Sequence, residues 1–159
     1  MSGVRRAGPA DALALVRMRA VMCEAMGDDV EGTEWRAGAE RWFADALADP
    51  GRFAAFVVDD PGLGVVASAA GTVEFRAPSP SNVGGARGHV FNVATDPRRR
   101  RLGHAGACFG ALLAWYRDET PVTRIALHAT GDGAGLYRAA GFTEPRYPEL
   151  VLRTSREVR

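Results

Sequence analysis

The sequence predicts a single α/β domain whose sheet mixes parallel and antiparallel strands, and three observations predict it. Two stretches with helical spacing, residues 11–26 and 33–47, come first. Two apolar runs around a turn then fill residues 53–75 as a hairpin. Within residues 88–118 an apolar run passes Asp96-Pro97 and four arginines into a third helical stretch. Hairpins join antiparallel strands and helical crossovers join parallel ones, so a chain with both implies a mixed sheet.

A length of 159 residues suits one domain, taken here as residues 1–159. The composition, 47% hydrophobic and 25% charged, is that of an ordinary globular protein. A net charge of +1 gives no whole-surface attraction to nucleic acid or acidic membranes, so neither is an expected partner. The basic residues are all Arg, which reads mainly as coding bias, although Arg does suit phosphate recognition better than Lys. Cys23 and Cys108 lie far apart in helical patterns and read as reduced, buried thiols. Neither a disulfide framework nor zinc spacing is present, so no metal site is expected. The first residues lack a secretory apolar core, and no run approaches the ~20 apolar residues of a membrane span. A cytoplasmic protein is the expectation.

Taken in order, residues 4–7 form a short first strand stopped by Gly8-Pro9. In residues 11–26 Leu13, Val16, Ala20 and Cys23 recur at helical spacing, and Gly27 ends the helix. Thr33 is the expected N-cap of a second helix, with Ala39, Trp42, Phe43, Ala46 and Leu47 on one face. Residues 53–58 and 65–75 make the hairpin, and alternation puts Glu74 opposite Val73 and Phe75. Residues 77–88, rich in Gly and Pro, read as a mobile loop. After the third helix, residues 122–129 read as a strand and 134–140 as a short helix capped by Gly141. Residues 150–152 read as a last edge strand, a candidate for pairing between subunits of a homodimer.

The turn in residues 96–106 carries the chemistry. Proline stops the strand there, and Gly103 and Gly106 offer no side chain to block a ligand near the backbone. The first turn of a helix has unpaired N–H groups and the positive end of its dipole. A diphosphate is therefore expected on the N–H groups of residues 101–106, with arginines neutralising it. A P-loop would need Gly-Lys-Ser/Thr, which is absent. A Rossmann fingerprint would place its glycines directly after the strand, without this arginine spacer.

Arg100-Arg101-Leu102-Gly103-His104-Ala105, following a strand and Pro97, resembles the acyl-coenzyme A signature of the GCN5-related N-acetyltransferases (GNAT). Leu136-Tyr137-Arg138-Ala139-Ala140-Gly141-Phe142 is similar to the family's Leu-Tyr-(x)3-Gly-Phe segment. The resemblance implies a GNAT-like fold and acetyl transfer from acetyl-CoA to an amine of a small molecule or a protein N-terminus. It also implies that the pantetheine arm pairs with backbone at Val93 and Thr95. The pyrophosphate would sit on the backbone of Arg101, Leu102, Gly103, His104, Ala105 and Gly106 beside Arg100, with Arg98 or Arg99 meeting the 3′-phosphate. Tyr137 takes the family's position for protonating the departing sulfur, and with an ordinary pKa near ~10 it holds its proton at neutral pH.

His89 is the candidate general base, having a pKa of ~6.5 when unperturbed, with Glu74 and His128 as rivals. Asn92 is a candidate to bind the acceptor or order a water. Glu24, Asp28, Asp29, Glu31 and Glu34 form an acidic stretch that would attract a cationic amine and disfavour a carboxylated acceptor. Two other functions stay open: a catalytically silent CoA-binding regulator of the same fold, and a nucleic-acid-binding domain using Arg98, Arg99, Arg100 and Arg101.

Overall fold

A computed structural model describes residues 3–155. They fall into two compact units, one ending at His128 and one beginning at Ala129. The first unit runs β1 (Val4–Arg6), α1 (Ala12–Ala25), α2 (Glu34–Leu47), β2 (Phe53–Asp60), β3 (Gly64–Phe75), β4 (Ala86–Thr95), α3 (His104–Glu119) and β5 (Ile125–Ala126). Its sheet has the order β1-β2-β3-β4-β5. The pairs up to β3–β4 are antiparallel and β4–β5 is parallel, as the pattern of hairpins and crossovers predicts.

Strand parity sorts the two faces. Thr72 and His89 are register partners, and one residue along Gly71 pairs with Val90 on the opposite face. The face of Thr72 and His89 is covered by α1 and α2. There Leu15, Val16, Met18, Phe43, Phe53, Ala55, Val57 and Ala70 form a continuous core. Burying each large side chain contributes about 1.5–3 kcal/mol. Helix α3 covers the other face with Cys108, Phe109, Leu112, Trp115 and Tyr116, all buried. Burial pushes the Cys108 thiol up to about 12, so it is an inert core residue.

Gly71 and Gly88 are glycines because Tyr116 lies on them. A Cβ on Gly71 would stand 2.3 Å from the Tyr116 hydroxyl, and one on Gly88 would stand 2.7 Å from its ring. The hydroxyl donates to the carbonyl oxygens of Thr72 (2.9 Å) and His89 (3.2 Å), sharing one proton between adjacent strands.

The ladder of β3 and β4 is broken by a bulge. Ser68 pairs with Ala94 but Ala70 pairs with Phe91, so Asn92 and Val93 together oppose Ala69. Asn92 adopts a left-handed φ of 56°, a conformation Asn tolerates better than other non-glycine residues.

Two boundaries differ from the sequence-based expectation. The strand expected at 122–129 is only two residues long, because β5 pairs with β4 at Gly88 and His89 alone. The loop expected at 77–88 ends early, since β4 starts at Ala86. Its turn is tied by paired backbone bonds between Ser79 and Asn82 and by Arg76 N–H donating to Gly85 O.

The second unit holds α4 (Ala134–Ala139), which ends at Gly141 with a φ of 100°. The edge strand expected at 150–152 does not form. Leu150, Val151 and Leu152 are 91%, 74% and 87% exposed, and they offer no strand edge for pairing between subunits. Three apolar residues behind Pro145 and Pro148 have no strand to pair with among the described residues of this unit.

Candidate functional site

The site is built on β4, which stays paired with β3 along its length but loses its β5 neighbour partway. Beyond His89 no strand among the described residues pairs with the β5 edge of β4, so the backbone of residues 90–95 is open on that side. Val93 and Thr95, the expected partners of an extended acyl carrier, both lie in this open segment and are half-buried.

At the end of β4 the chain is pinned by Asp96. Its carboxylate accepts from Arg98 N–H (2.9 Å), Arg98 Nε (3.0 Å) and Arg98 Nη2 (2.8 Å), while its own N–H donates to Val66 O. The Arg98 guanidinium and N–H hold this carboxyl down at about 2. Arg99 donates from Nε to Asp60 Oδ2 at 2.6 Å. Two of the four arginines thus have carboxylate partners, which weakens the expectation that Arg98 meets a phosphate. Arg100 and Arg101 are exposed and make no ion pair among the described residues.

Two left-handed residues, Arg101 (φ 63°) and Gly103 (φ 80°), then turn the chain onto α3. A non-glycine residue held there costs about 1 kcal/mol or more, a strain that clusters where backbone serves a ligand. Leu102 is exposed, and His104, Ala105 and Gly106 open the helix with their N–H groups unpaired within it. This turn fits the diphosphate-and-pantetheine part of coenzyme A: an open strand edge, free helix N–H groups and two unpaired guanidinium groups in sequence.

On the α1–α2 face a cavity of about 330 Å³ opens beside β3 and β4. Its polar lining is Arg19, Thr72, Glu74 and His89, and its apolar wall is Ala39, Trp42, Phe43 and Phe91. That volume lies at the low end of the ~300–1,000 Å³ typical of small-molecule sites. His89 stacks on Phe91 with ring centroids 6.0 Å apart and meets His128 edge-on at 5.9 Å. Glu74 is half-exposed, and Arg76 is 3.8 Å from its carboxylate. The structure thus brings together Glu74 and His89, which are fifteen positions apart in sequence and share one cavity.

Asn92 does not join them. Its side chain is fully buried, donating from Nδ2 to Leu15 O at 3.0 Å and accepting from Arg19 Nη1 at 3.4 Å. Its own carbonyl accepts from the Ser68 hydroxyl at 2.6 Å. The expectation that it binds acceptor is corrected: its amide is turned inward to the bulge. Glu31 is exposed on the α1–α2 connection, and neither it nor Glu24, Asp28, Asp29 or Glu34 lines this cavity. The residue that sequence reasoning missed is Arg19. It sits within the apolar stripe of α1 as an ordinary solvated arginine would, and the only available signal was its place between the core positions Met18 and Ala20.

In the second unit Tyr137 is buried, its ring packed over Gly133 and 6.2 Å from that of Phe142. Burial raises the pKa of its hydroxyl above the ordinary value, so it stays protonated at neutral pH. Among the described residues no cluster of three or more His, Cys, Asp or Glu side chains could hold a metal, and no helix is long and apolar enough to cross a membrane.

Fold and turn together define an acyl-coenzyme A-dependent transferase. The model of the acetyltransferase (GNAT) family matches residues 18–142, and the chain belongs to that family. It is an N-acetyltransferase with acetyl-CoA as its donor. Among solved structures, a protein of Clostridium acetobutylicum described as a predicted acetyltransferase with acetyl-CoA is similar at a TM-score of 0.83. The two are 23% identical, over 95% of this chain and 96% of that one. A GCN5-related N-acetyltransferase of Ralstonia eutropha JMP134 gives 0.79 at 24% identity, over 96% and 99%. Glucosamine-6-phosphate N-acetyltransferase of Arabidopsis thaliana gives 0.73 at 13%, over 96% and 98%. At these identities the likeness is one of fold. No curated protein matches the sequence.

Proposed function

We propose that the protein acetylates a primary amine of a small molecule that enters the cavity beside β3 and β4. One observation carries this reading: His89 is the last β4 residue paired with β5, and its side chain lines that cavity. The point where the strand edge opens is therefore also where an acceptor can reach it. Acetyl-CoA, when bound, supplies a thioester carbonyl open to attack by a neutral amine.

The chain's own residues prepare that attack. Glu74 draws an ammonium group into the cavity, and His89 receives the proton that the amine must lose. Desolvation against Trp42 and Phe91 lowers the amine's own pKa and assists the loss. As the nitrogen–carbon bond forms and the carbon–sulfur bond breaks, Tyr137 Oη is the proposed proton donor to sulfur. Its place in the Leu-Tyr-(x)3-Gly-Phe pattern and its protonated state at neutral pH support that role. Val93, Thr95 and the turn formed by Arg100, Arg101, Leu102, Gly103, His104, Ala105 and Gly106 are proposed to hold the donor. The family match runs across the boundary at His128, which supports treating residues 1–159 as one functional domain.

Thermal melting with acetyl-CoA, followed by thiol release with an amine panel, tests the reading. The expected result is a raised Tm with acetyl-CoA and thiol release that depends on an amine. Stabilisation with no release from any amine would leave a silent CoA-binding protein. A salt-steep affinity for nucleic acid without stabilisation by acetyl-CoA would overturn the reading altogether.

A further inference from the structure

The acidic stretch of residues 24–34 suggests a purely cationic acceptor, but none of its acids lines the cavity. The charges that do line it are one guanidinium, Arg19, and one carboxylate, Glu74. We propose that the acceptor is a zwitterionic amine, an α-amino acid with an apolar side chain, whose carboxylate pairs with Arg19 and whose ammonium faces Glu74 and His89. This inference rests on the acceptor reading of the cavity given above.

Arg19 is half-buried in α1 and has no carboxylate partner among the described residues. Its hydrogen bond to the neutral Asn92 Oδ1 is long, at 3.4 Å, and its guanidinium lies 5.7 Å from the centroid of the Phe91 ring. A guanidinium held against an aromatic ring and a neutral amide keeps donors free for a planar, bidentate anion. Other arginines, Arg98 and Arg99 among them, are paired with carboxylates within the fold, and Arg19 is not.

Charge balance selects the ligand class. A simple cationic amine would join Arg76 at Glu74 and leave Arg19 unmatched in a half-buried site. A phosphate dianion would meet one guanidinium and stand in the same small cavity as Glu74. A zwitterion presents one charge of each sign, the complement of Arg19 and Glu74. The remaining wall, Ala39, Trp42, Phe43 and Phe91, suits an apolar side chain. Trp42 meets Phe91 edge-on at 5.6 Å, so the wall is a braced aromatic surface.

The test uses three probes that share one apolar body: phenylalanine, phenethylamine, which lacks the carboxylate, and 3-phenylpropanoate, which lacks the ammonium. O-Phosphoethanolamine serves as the phosphate arm. Binding is measured by calorimetry on the full chain, and turnover by thiol release with acetyl-CoA. Phenylalanine is expected to bind and to turn over about tenfold or more better than phenethylamine, the usual scale of a charge-assisted hydrogen bond. Arg19→Gln should remove that advantage and weaken 3-phenylpropanoate equally, leaving phenethylamine and the acetyl-CoA-induced Tm shift unchanged. Arg19→Lys should retain part of it, which separates a lost contact from a damaged fold.

Equal binding of phenylalanine and phenethylamine would overturn the proposal, as would preference for O-phosphoethanolamine or an equal loss for all probes in Arg19→Gln. Carboxylate-dependent binding without thiol release would support the ligand class while refuting acetyl transfer to it, so the two failures are distinguishable.

Discussion

The Asn92 side-chain amide donates to the carbonyl oxygen of Leu15 at 3.0 Å, joining the bulge of β4 to the middle of α1 across the core. The bond explains a polar residue in an apolar strand. It gives the Leu15 carbonyl a second donor beside its own helix bond, and it holds a left-handed backbone that Asn accepts at low cost.

Asn92→Ala should therefore destabilise the protein by about 2–4 kcal/mol, combining the loss of a buried hydrogen bond with a strained φ. Urea unfolding measures it. A loss under ~0.5 kcal/mol would mean that the bond contributes nothing to stability.

Gly71→Ala should be destabilising by about 1–3 kcal/mol, because its Cβ would meet the Tyr116 hydroxyl at 2.3 Å. In a Tyr116→Phe background the same change should cost less, since the nearest oxygen is gone. A double-mutant cycle on thermal stability checks this, and strict additivity would contradict the contact.

Gly103→Val should weaken acetyl-CoA binding about tenfold or more, because a β-branched residue resists the φ of 80° that the turn uses. Arg99→Ala should change it less than about threefold, since Arg99 is held by Asp60. Calorimetric titration with acetyl-CoA gives both values, and the reverse ranking would show that side-chain charge rather than backbone holds the donor.

Asp96 makes stability depend on acid pH. Its folded pKa of about 2 lies below the ordinary 3.8, so it contributes stability above the ordinary value that is lost as pH falls toward 2. Asp96→Asn should therefore lower Tm most near neutral pH, with the gap to the parent protein closing between about pH 4 and pH 2. A gap that stays constant with pH would remove the carboxylate from the account.

Tyr137→Phe should lower kcat by about 100-fold, the lower range for loss of a general acid, with little change in the KM for acetyl-CoA. His89→Ala should flatten the acidic limb of the pH–rate profile. An unaltered rate in the first variant, or an unaltered limb in the second, would remove that residue from the chemistry.

Local patterns carried much of this protein in the sequence alone. Helical spacing and the period-two runs set α1, α2, the β2–β3 hairpin and α3 to within a few residues. The strand–proline–arginine–glycine run marked the turn onto α3, and the tyrosine pattern marked Tyr137. These are properties of neighbouring residues, whose backbone preferences act whatever the rest of the chain does.

What tertiary structure alone decided depends on residues far apart. Asn92 turned from a candidate ligand into a bulge residue because Leu15 and Ser68 lie 77 and 24 positions away and face it. Arg99 gained a carboxylate partner because Asp60 reaches it from β2, and β5 shrank because pairing with β4 stops at His89. Arg19 came into the cavity opposite Glu74 and His89 only when α1 packed on the sheet, since register and packing, not spacing along the chain, determine which side chains share a pocket.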